Sequence, residues 1–390
     1  TIQHAIDMAA DGHIILVAPG IYRGEGNIDL DYKGKGISII SEAGPRSTII
    51  DCENKERGFT FDSGEDSTSI LDGFSIINGK RNHAGGIYCY YSSPIIRNCK
   101  ITNCIASGWG GGGIFLHMSD AILSELIITE NTAEEGGGIH VIGGKPIITH
   151  SIISSNMSTK YSGGGLHIIN YSEAYLSDLT ISDNHGRWHG GLFIWTGSNV
   201  TINNSIITGN TQNEYTGAIG VEEAYANLIN ITVTQNMIGG VSVWNGGTVN
   251  IVNSIITNHV HEIMIGSLDN VTPNYVNISF SNIEDGPNGI LPFQGPNDHI
   301  DFLTGNIDFD PLFVDSTNGD FRLQANSPCI DEGIADTNGD NIDDIIDYVG
   351  SSPDMGAFEY GATIYGCTDA SACNYNTILY NKHDNSSCEY

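Results

Sequence analysis

The sequence predicts an all-β fold, a right-handed parallel β-helix with a short N-terminal capping helix and a C-terminal cap. The first observation is a Gly-Gly-apolar motif whose second residue recurs at steps of 27, 25, 27, 26, 27 and 22 residues. The second is a ladder of asparagines with a matching period. The third is a period-2 alternation of apolar and polar residues, which indicates short strands with one buried face. Such a short unit cannot bury its apolar face alone, whereas stacked coils can.

The two repeated motifs stay in register along the chain. The glycine motif begins at Gly85, Gly112, Gly137, Gly164, Gly190, Gly217 and Gly239. The ladder consists of Asn131, Asn156, Asn184, Asn210 and Asn236, preceded in register by Gly79 and Cys104 and followed by His259. An asparagine at one turn of every coil can bond the backbone of its neighbours, so we interpret the ladder as architectural.

The chain divides into three predicted segments. Residues 1–300 form the β-helix, which begins with an amphipathic helix over Thr1–Ala10 that acts as a lid. Residues 301–361 form a C-terminal capping module, and residues 362–390 form a cysteine-containing tail.

Composition excludes several classes of partner. The chain of 390 residues has 46 acidic and 15 basic residues, a formal net charge of −31. This charge repels nucleic acid and anionic membranes. Every apolar stretch is shorter than the roughly 18–20 residues that a membrane helix needs. We therefore expect no transmembrane segment and no nucleic-acid partner, and we also predict a monomer.

Three stretches carry a resemblance to known families. Ala5-Ile6-Asp7 and the segment 15–22, followed by Gly-Gly-Ile coils, resemble secreted bacterial β-helix proteins of the pectate-lyase-like superfamily over roughly residues 1–300. The stretches 308–313, 320–331 and 353–360 are similar to the choice-of-anchor type of terminal module, and the tail resembles a small secreted cysteine module. The resemblance implies an extracellular or cell-surface protein. The fold alone does not specify an activity, because it carries lyases, hydrolases, esterases and adhesins.

An acidic loop within the C-terminal module has calcium-ligand spacing. Positions 1, 3, 5, 9 and 12 of this loop are Asp336, Asn338, Asp340, Asp344 and Asp347. Calcium takes six to eight hard oxygen ligands, and this spacing wraps oxygens around one ion. The loop departs from the EF-hand pattern because Asn341 replaces the turn glycine and Asp347 replaces glutamate. We expect structural Ca²⁺, with an acidic solvated turn as the alternative.

The eight cysteines do not indicate a zinc ribbon, since no CxxC pair is present in the sequence. Cys89 and Cys99 fall on inward strand positions, so we expect small buried apolar side chains there. The tail residues Cys367, Cys373 and Cys388 are disulfide candidates in an oxidising compartment, with their connectivity open.

An aromatic outer face is the candidate binding surface. After each inward apolar residue of the glycine motif, the next residue and the one two further on point outward. The candidate substrate-binding residues are Tyr88, Tyr90, Phe115, His117, His140, Phe193, Trp195 and Trp244, with Trp188 in an adjacent loop. A contiguous exposed apolar patch usually marks an interaction site. The alternative is that a loop or the C-terminal module covers this sheet.

The loops before each glycine motif hold two of the three basic residues between positions 101 and 321. Cleavage of an anionic polysaccharide by β-elimination needs a base, an acid and a cation. Lys160 or His167 is the candidate base, and Arg187 or His189 the candidate cation or acid. Glycoside hydrolysis needs two carboxylates instead, and the available ones are Glu134, Glu135, Glu214 and Glu222.

A transition-metal site at His117, His140 and His167 is a further alternative, although the sequence shows no evident carboxylate or cysteine partner for it. Two classes of function remain. The first is a secreted protein that binds polysaccharide and cleaves it as a lyase. The second is a non-catalytic extracellular adhesin that binds glycan through the aromatic face.

Overall fold

Successive coils of the chain stack in parallel, as the repeats predict. The computed structural model describes residues 1–267, 272–293 and 298–362. It confirms the predicted fold class, an all-β parallel solenoid of about 11 turns with one short N-terminal helix. Residues 363–390 of the predicted tail, with the cysteines at 367, 373 and 388, lie outside the described residues.

The front sheet follows the glycine motif of each coil. In the described part of the chain it has eleven parallel strands. They are Leu30–Asp31, Phe59–Phe61, Ile87–Tyr90, Ile114–His117, Ile139–Ile142, Leu166–Ile169, Leu192–Trp195, Gly217–Glu222, Gly239–Trp244, His261–Gly266 and Ile290–Phe293. The pairing register joins Ile87, Ile114, Ile139, Leu166 and Leu192, so the motif sets the stacking of the coils.

Two further sheets contribute to the coils, and the smaller of them, the side sheet, has six strands among the described residues. The back sheet consists of Ile14–Val17, Gly20–Tyr22, Ser38–Ser41, Thr48–Asp51, Ile70–Asp72, Ser75–Ile77, Ile95–Arg97, Lys100–Thr102, Ile122–Ser124, Ile127–Thr129, Ile147–Ser154, Glu173–Ser182, Asn199–Asn203, Ile206–Thr208, Tyr225–Ile229, Thr232–Thr234, Thr248–Val252, Ile255–Thr257, Tyr275–Ser279, Asn282–Ile283 and His299–Phe302. The side sheet consists of Lys80–Arg81, Ile105–Ala106, Thr132–Ala133, Met157–Ser158, His185–Gly186 and Thr211–Gln212. The inward apolar residues of the front and back sheets form one continuous core.

The asparagine ladder is buried and continuous. The Oδ1 of Asn184 accepts hydrogen bonds from the backbone N and the Nδ2 of Asn156, at 2.9 and 3.0 Å. Asn184 in turn donates from Nδ2 to Ile153 O and Asn210 Oδ1. Cys104 N donates to the first rung, and His259 Nε2 contacts Nδ2 of the last. The architectural interpretation of this ladder is thereby confirmed.

The chain bends sharply just before each rung. A residue in the left-handed backbone region stands at that corner in successive coils, at Glu130, Ser155, Asp183, Gly209 and Gln235. Asn210 and Asn236 donate from Nδ2 to the carbonyls of Thr208 and Thr234, across the corner, which stabilises a conformation that most residues avoid.

The N-terminal helix, Ile2–Met8, is shorter than the predicted Thr1–Ala10. Ile2 and Ile6 are buried in the core, and the Thr1 side chain accepts a hydrogen bond from His4 N. Lys35 Nζ donates to the carbonyls of Ile6, Asp7 and Ala9, which satisfies the end of the helix.

The C-terminal segment packs on the outer surface of the back sheet. It contains the antiparallel strands Phe313–Asp315 and Asp320–Leu323 and a short 3₁₀ turn, Ser316–Asn318; another 3₁₀ turn, Gly286–Gly289, precedes the last front strand. Phe321 and Phe358 pack with Ile206, and Cys329 and Met355 pack with Ile255. The contacts of this segment therefore lie on the back sheet and not on the front sheet.

Cys89 and Cys99 are buried and unpaired, as expected from their inward positions. Among the described residues, no helix combines the length and the apolar character that crossing a membrane requires.

Candidate functional site

Two outward rows run along the front sheet, in the register that the sequence predicts. We call the first the ring stack, which comprises Tyr88, Phe115, His140, His167 and Phe193. Its successive ring centroids are 5.6, 5.7, 4.7 and 5.2 Å apart. We call the second the open row, which comprises Tyr90, His117, Ile142, Ile169, Trp195, Glu222 and Trp244.

Four loops, which we call the cover loops, lie over the ring stack from Phe115 to Phe193, at residues 107–111, 134–136, 159–163 and 186–189. Phe115, His140 and Phe193 are buried, so the expectation that they form an exposed binding face is wrong. Tyr88 is half-buried beneath Arg57, whose guanidinium carbon lies 4.3 Å from the Tyr88 ring centroid. The alternative that loops cover the sheet is therefore correct for this row.

Gly220 follows Phe193 in the same outward row but has no side chain to extend the ring stack. A Cβ on Gly220 would lie 2.3 Å from the His189 ring. That ring fills the space and stacks on Phe193 at 4.6 Å. Nδ1 of His189 contacts Ser162 Oγ at 3.3 Å, and Nε2 contacts Ser242 Oγ at 3.1 Å. His189 thus links its own coil to the coils of Ser162, Gly220 and Ser242 from within the covered layer.

The open row stays accessible. Tyr90 and Trp195 are 39% and 38% exposed, and His117, Glu222 and Trp244 are half-buried. Tyr90 stacks on His117 at 4.8 Å. Trp195, Glu222 and Trp244 are direct partners on three successive strands. Burial raises the pKa of Glu222, while a hydrogen bond from Asn245 opposes this shift.

The two loop cations each pair with a carboxylate. Lys160 Nζ lies 3.1 Å from Glu134, and Arg187 Nε lies 3.4 Å from Glu214. The hydrogen bond to Glu134 raises the pKa of Lys160, which keeps the amine protonated. Arg187 also lies over the half-buried ring of Trp188, at 5.0 Å.

The four candidate catalytic residues do not converge beside an open groove. Lys160 and Arg187 are half-exposed. Lys160 pairs with a carboxylate on the preceding coil, and Arg187 pairs with one on the following coil. His167 and His189 are buried beneath the cover loops. Burial lowers the pKa of His189 to about 3, so this ring is neutral at neutral pH. The assignment of these four residues to catalysis stays a prediction.

A cluster of two histidines and one glutamate lies in the middle of the covered layer. Glu135 Oε2 is 3.4 Å from His167 Nδ1 and 3.8 Å from His140 Nε2. The absence of an evident carboxylate partner for these histidines is therefore corrected, whereas His117 lies outside the cluster. The signal in the sequence was an acid directly before Gly136, in the loop that leads into the strand of His140.

The acidic loop of the C-terminal segment is organised by its own side chains. Asp336 Oδ1 and Oδ2 accept hydrogen bonds from the backbone N of Gly339 and Asn341, both at 2.7 Å. Asn338 Nδ2 donates to Asp344, and Asp340 N donates to Asn338. Asn341 adopts the left-handed conformation, with φ of 66°. The Ca²⁺ expectation, which also includes Asp347, stays a prediction.

Comparisons with known proteins identify the fold. No protein-family model matches the chain, and neither does any curated protein sequence. The chain is similar to a crystal structure of the pectate lyase Pel9A, with a TM-score of 0.54 and 15% identity over 92% of this chain and 90% of that one. It also matches the A-module of the Azotobacter vinelandii mannuronan C-5 epimerase AlgE6, with a TM-score of 0.44 and 16% identity over 80% and 94% of the two chains.

These findings define a class of protein. The fold is a parallel β-solenoid of the pectate lyase type, and one of its outer faces carries a covered aromatic layer beside an accessible aromatic row. At 15% identity the likeness to the pectate lyase extends to the fold alone.

Proposed function

We propose that this protein binds polysaccharide along the open row of the front sheet. The observation that carries the proposal is the alignment of Trp195, Glu222 and Trp244 on three successive strands. Strands of one sheet are about 4.8 Å apart, which places the two indoles roughly 10 Å from each other on either side of the carboxylate. This arrangement suits an extended ligand that lies along the solenoid.

The chemistry of the row suits sugars. Aromatic faces pack against the apolar faces of sugar rings, and a carboxylate accepts hydrogen bonds from hydroxyl groups. Aromatic side chains that recur along one accessible row of the sheet favour a binding role over chance exposure. The net charge of −31 and the carboxylate in the row favour an uncharged polysaccharide over an anionic one. An extracellular or cell-surface location belongs to this proposal.

Cleavage is the second candidate function, and the geometry supports binding better. The protonated, paired state of Lys160 opposes its use as a base. The burial of His167 and His189 separates both from the open row. We therefore favour a surface protein that binds glycan without cleaving it.

The test is a binding panel of neutral and anionic polysaccharides with the wild type, Trp195→Ala and Trp244→Ala. We expect at least about tenfold weaker binding of the best glycan in both variants, since buried aromatic anchors carry most of such binding energy. Tyr175→Ala is the matched control, because Tyr175 is 41% exposed but lies on the back sheet. Equal affinities for all four proteins would refute the proposal.

The same panel distinguishes cleavage from binding when it is scored for unsaturated sugars and for new reducing ends. We expect binding without either product. Unsaturated product that disappears in Lys160→Ala and Arg187→Ala would instead establish the lyase function.

A further inference from the structure

The two histidines at the centre of the ring stack have an unusual environment. His140 and His167 are 1% and 2% exposed, and they are direct partners on neighbouring front strands. Among the described residues, neither ring nitrogen of either histidine has a hydrogen-bond partner. A buried polar group without a partner is costly, and buried groups in folded proteins are almost always satisfied.

The carboxylate of Glu135 lies near one nitrogen of each histidine ring. Its cover loop places one carboxylate oxygen 3.4 Å from His167 Nδ1 and 3.8 Å from His140 Nε2. One ligand atom from each of the three residues lies within 4.8 Å of the others. Tetrahedral bonds of about 2.0–2.2 Å hold ligand atoms roughly 3.4 Å apart, so the cluster is close to the spacing that one ion requires.

We propose that Glu135, His140 and His167 bind one divalent transition-metal ion, Zn²⁺ in preference to a hard cation. Two imidazoles and one carboxylate form a mixed nitrogen and oxygen set, which suits Zn²⁺ and leaves a fourth position for water. Calcium and magnesium prefer oxygen ligands alone. The ion satisfies one nitrogen on each ring and fixes the cover loop at 134–136 to the front sheet.

The site has a route to solvent. The side chain of Glu135 is 18% exposed, whereas the two histidines beneath it are closed off. An ion therefore enters past the glutamate and reaches the rings from the loop side. A buried water is the other way to satisfy the two rings, and such a water confers no metal affinity.

The test is a Zn²⁺ titration of the full chain after chelator treatment, with calorimetry as the readout. Saturating Ca²⁺ is present so that the acidic loop is occupied. Two variants remove one ligand each. His167→Phe keeps the ring stack, since phenylalanine stands in the same row at 115 and 193. Glu135→Gln keeps the shape of the loop side chain. Glu134→Gln is the matched control, because it removes a neighbouring charge that pairs with Lys160 instead.

We expect one Zn²⁺ per chain in the wild type and in Glu134→Gln, with at least about tenfold weaker binding in both ligand variants. Titration with Co²⁺ gives a second readout, a visible absorption band that is present in the wild type and lost in His167→Phe. Zn²⁺ affinity and a Co²⁺ spectrum that are the same in the wild type and His167→Phe would overturn the proposal. So would the absence of Zn²⁺ binding to the wild type.

Discussion

At the residue scale, the buried asparagines join each coil to its neighbours through hydrogen bonds. Each ladder asparagine satisfies groups on two neighbouring coils, so its loss leaves several buried donors and acceptors without partners. The alternation of the sequence and the spacing of the ladder were enough to predict this role, because side-chain period and turn chemistry are local properties.

Replacement of Asn184 by alanine tests the ladder. The variant leaves Asn156 N, Asn156 Nδ2, Ile153 O and Asn210 Oδ1 without their bonds to residue 184. We expect the free energy of unfolding to fall by about 3 kcal/mol or more. Urea denaturation measures this change, with the exposed Asn213→Ala as the control. A loss no larger than that of the control would contradict the role of the ladder.

His189 makes stability depend on pH. Burial lowers its pKa to about 3, below the value near 6.5 of an unfolded histidine. The unfolded state therefore binds the proton first, and stability is lost as the pH falls from about 6.5 toward 3, at up to about 1.4 kcal/mol per pH unit. The groups that face this ring are Ser162, Ser242, Phe193 and His167.

The measurement is denaturant unfolding across that pH interval, with chelator present, for the wild type and His189→Gln. The variant replaces the titrating ring by a neutral amide, so its stability should fall less steeply with decreasing pH. Parallel curves for the two proteins would show that His189 does not carry the effect.

At the scale of elements, the cover loops explain why the sequence was misleading about the front face. Period-2 alternation shows that Phe115, His140 and Phe193 point away from the core, and this prediction is confirmed. The alternation carries no information on whether a loop returns over the same residues. Gly136 shows the cause, since a Cβ there would lie 2.8 Å from the Cβ of His140. Glycine lets the loop approach that closely.

The acidic loop gives a prediction at the same scale. If Asp336, Asn338, Asp340, Asp344 and Asp347 bind Ca²⁺, the ion at 100 times its Kd adds about 2.7 kcal/mol of stability. We therefore expect a chelator to lower the Tm of the wild type and of Asp343→Ala, a loop residue outside the ligand positions. Asp340→Ala should show no such response. A wild type whose Tm is unchanged by the chelator would count against the calcium site.

At the scale of the whole molecule, different parts of the chain pack on the outer surfaces of the two large sheets. The C-terminal segment packs on the back sheet through Ile206 and Ile255. The cover loops lie over the ring stack of the front sheet and leave the open row accessible. The sequence indicated the stacking because the coil period is repeated along the chain. It could not indicate these long-range packings, or the meeting of Glu135 with His167, because each occurs once and has no periodic signature.

The identical chemistry of the ladder rungs bears on the length of the solenoid. Asn156, Asn184 and Asn210 offer the same acceptor to the preceding coil and the same donor to the following one. A duplicated unit of 26 residues, the distance from Asn184 to Asn210, would find matching bonds on both sides. The number of coils can therefore change without any change in rung chemistry. The length of the open row would change with it.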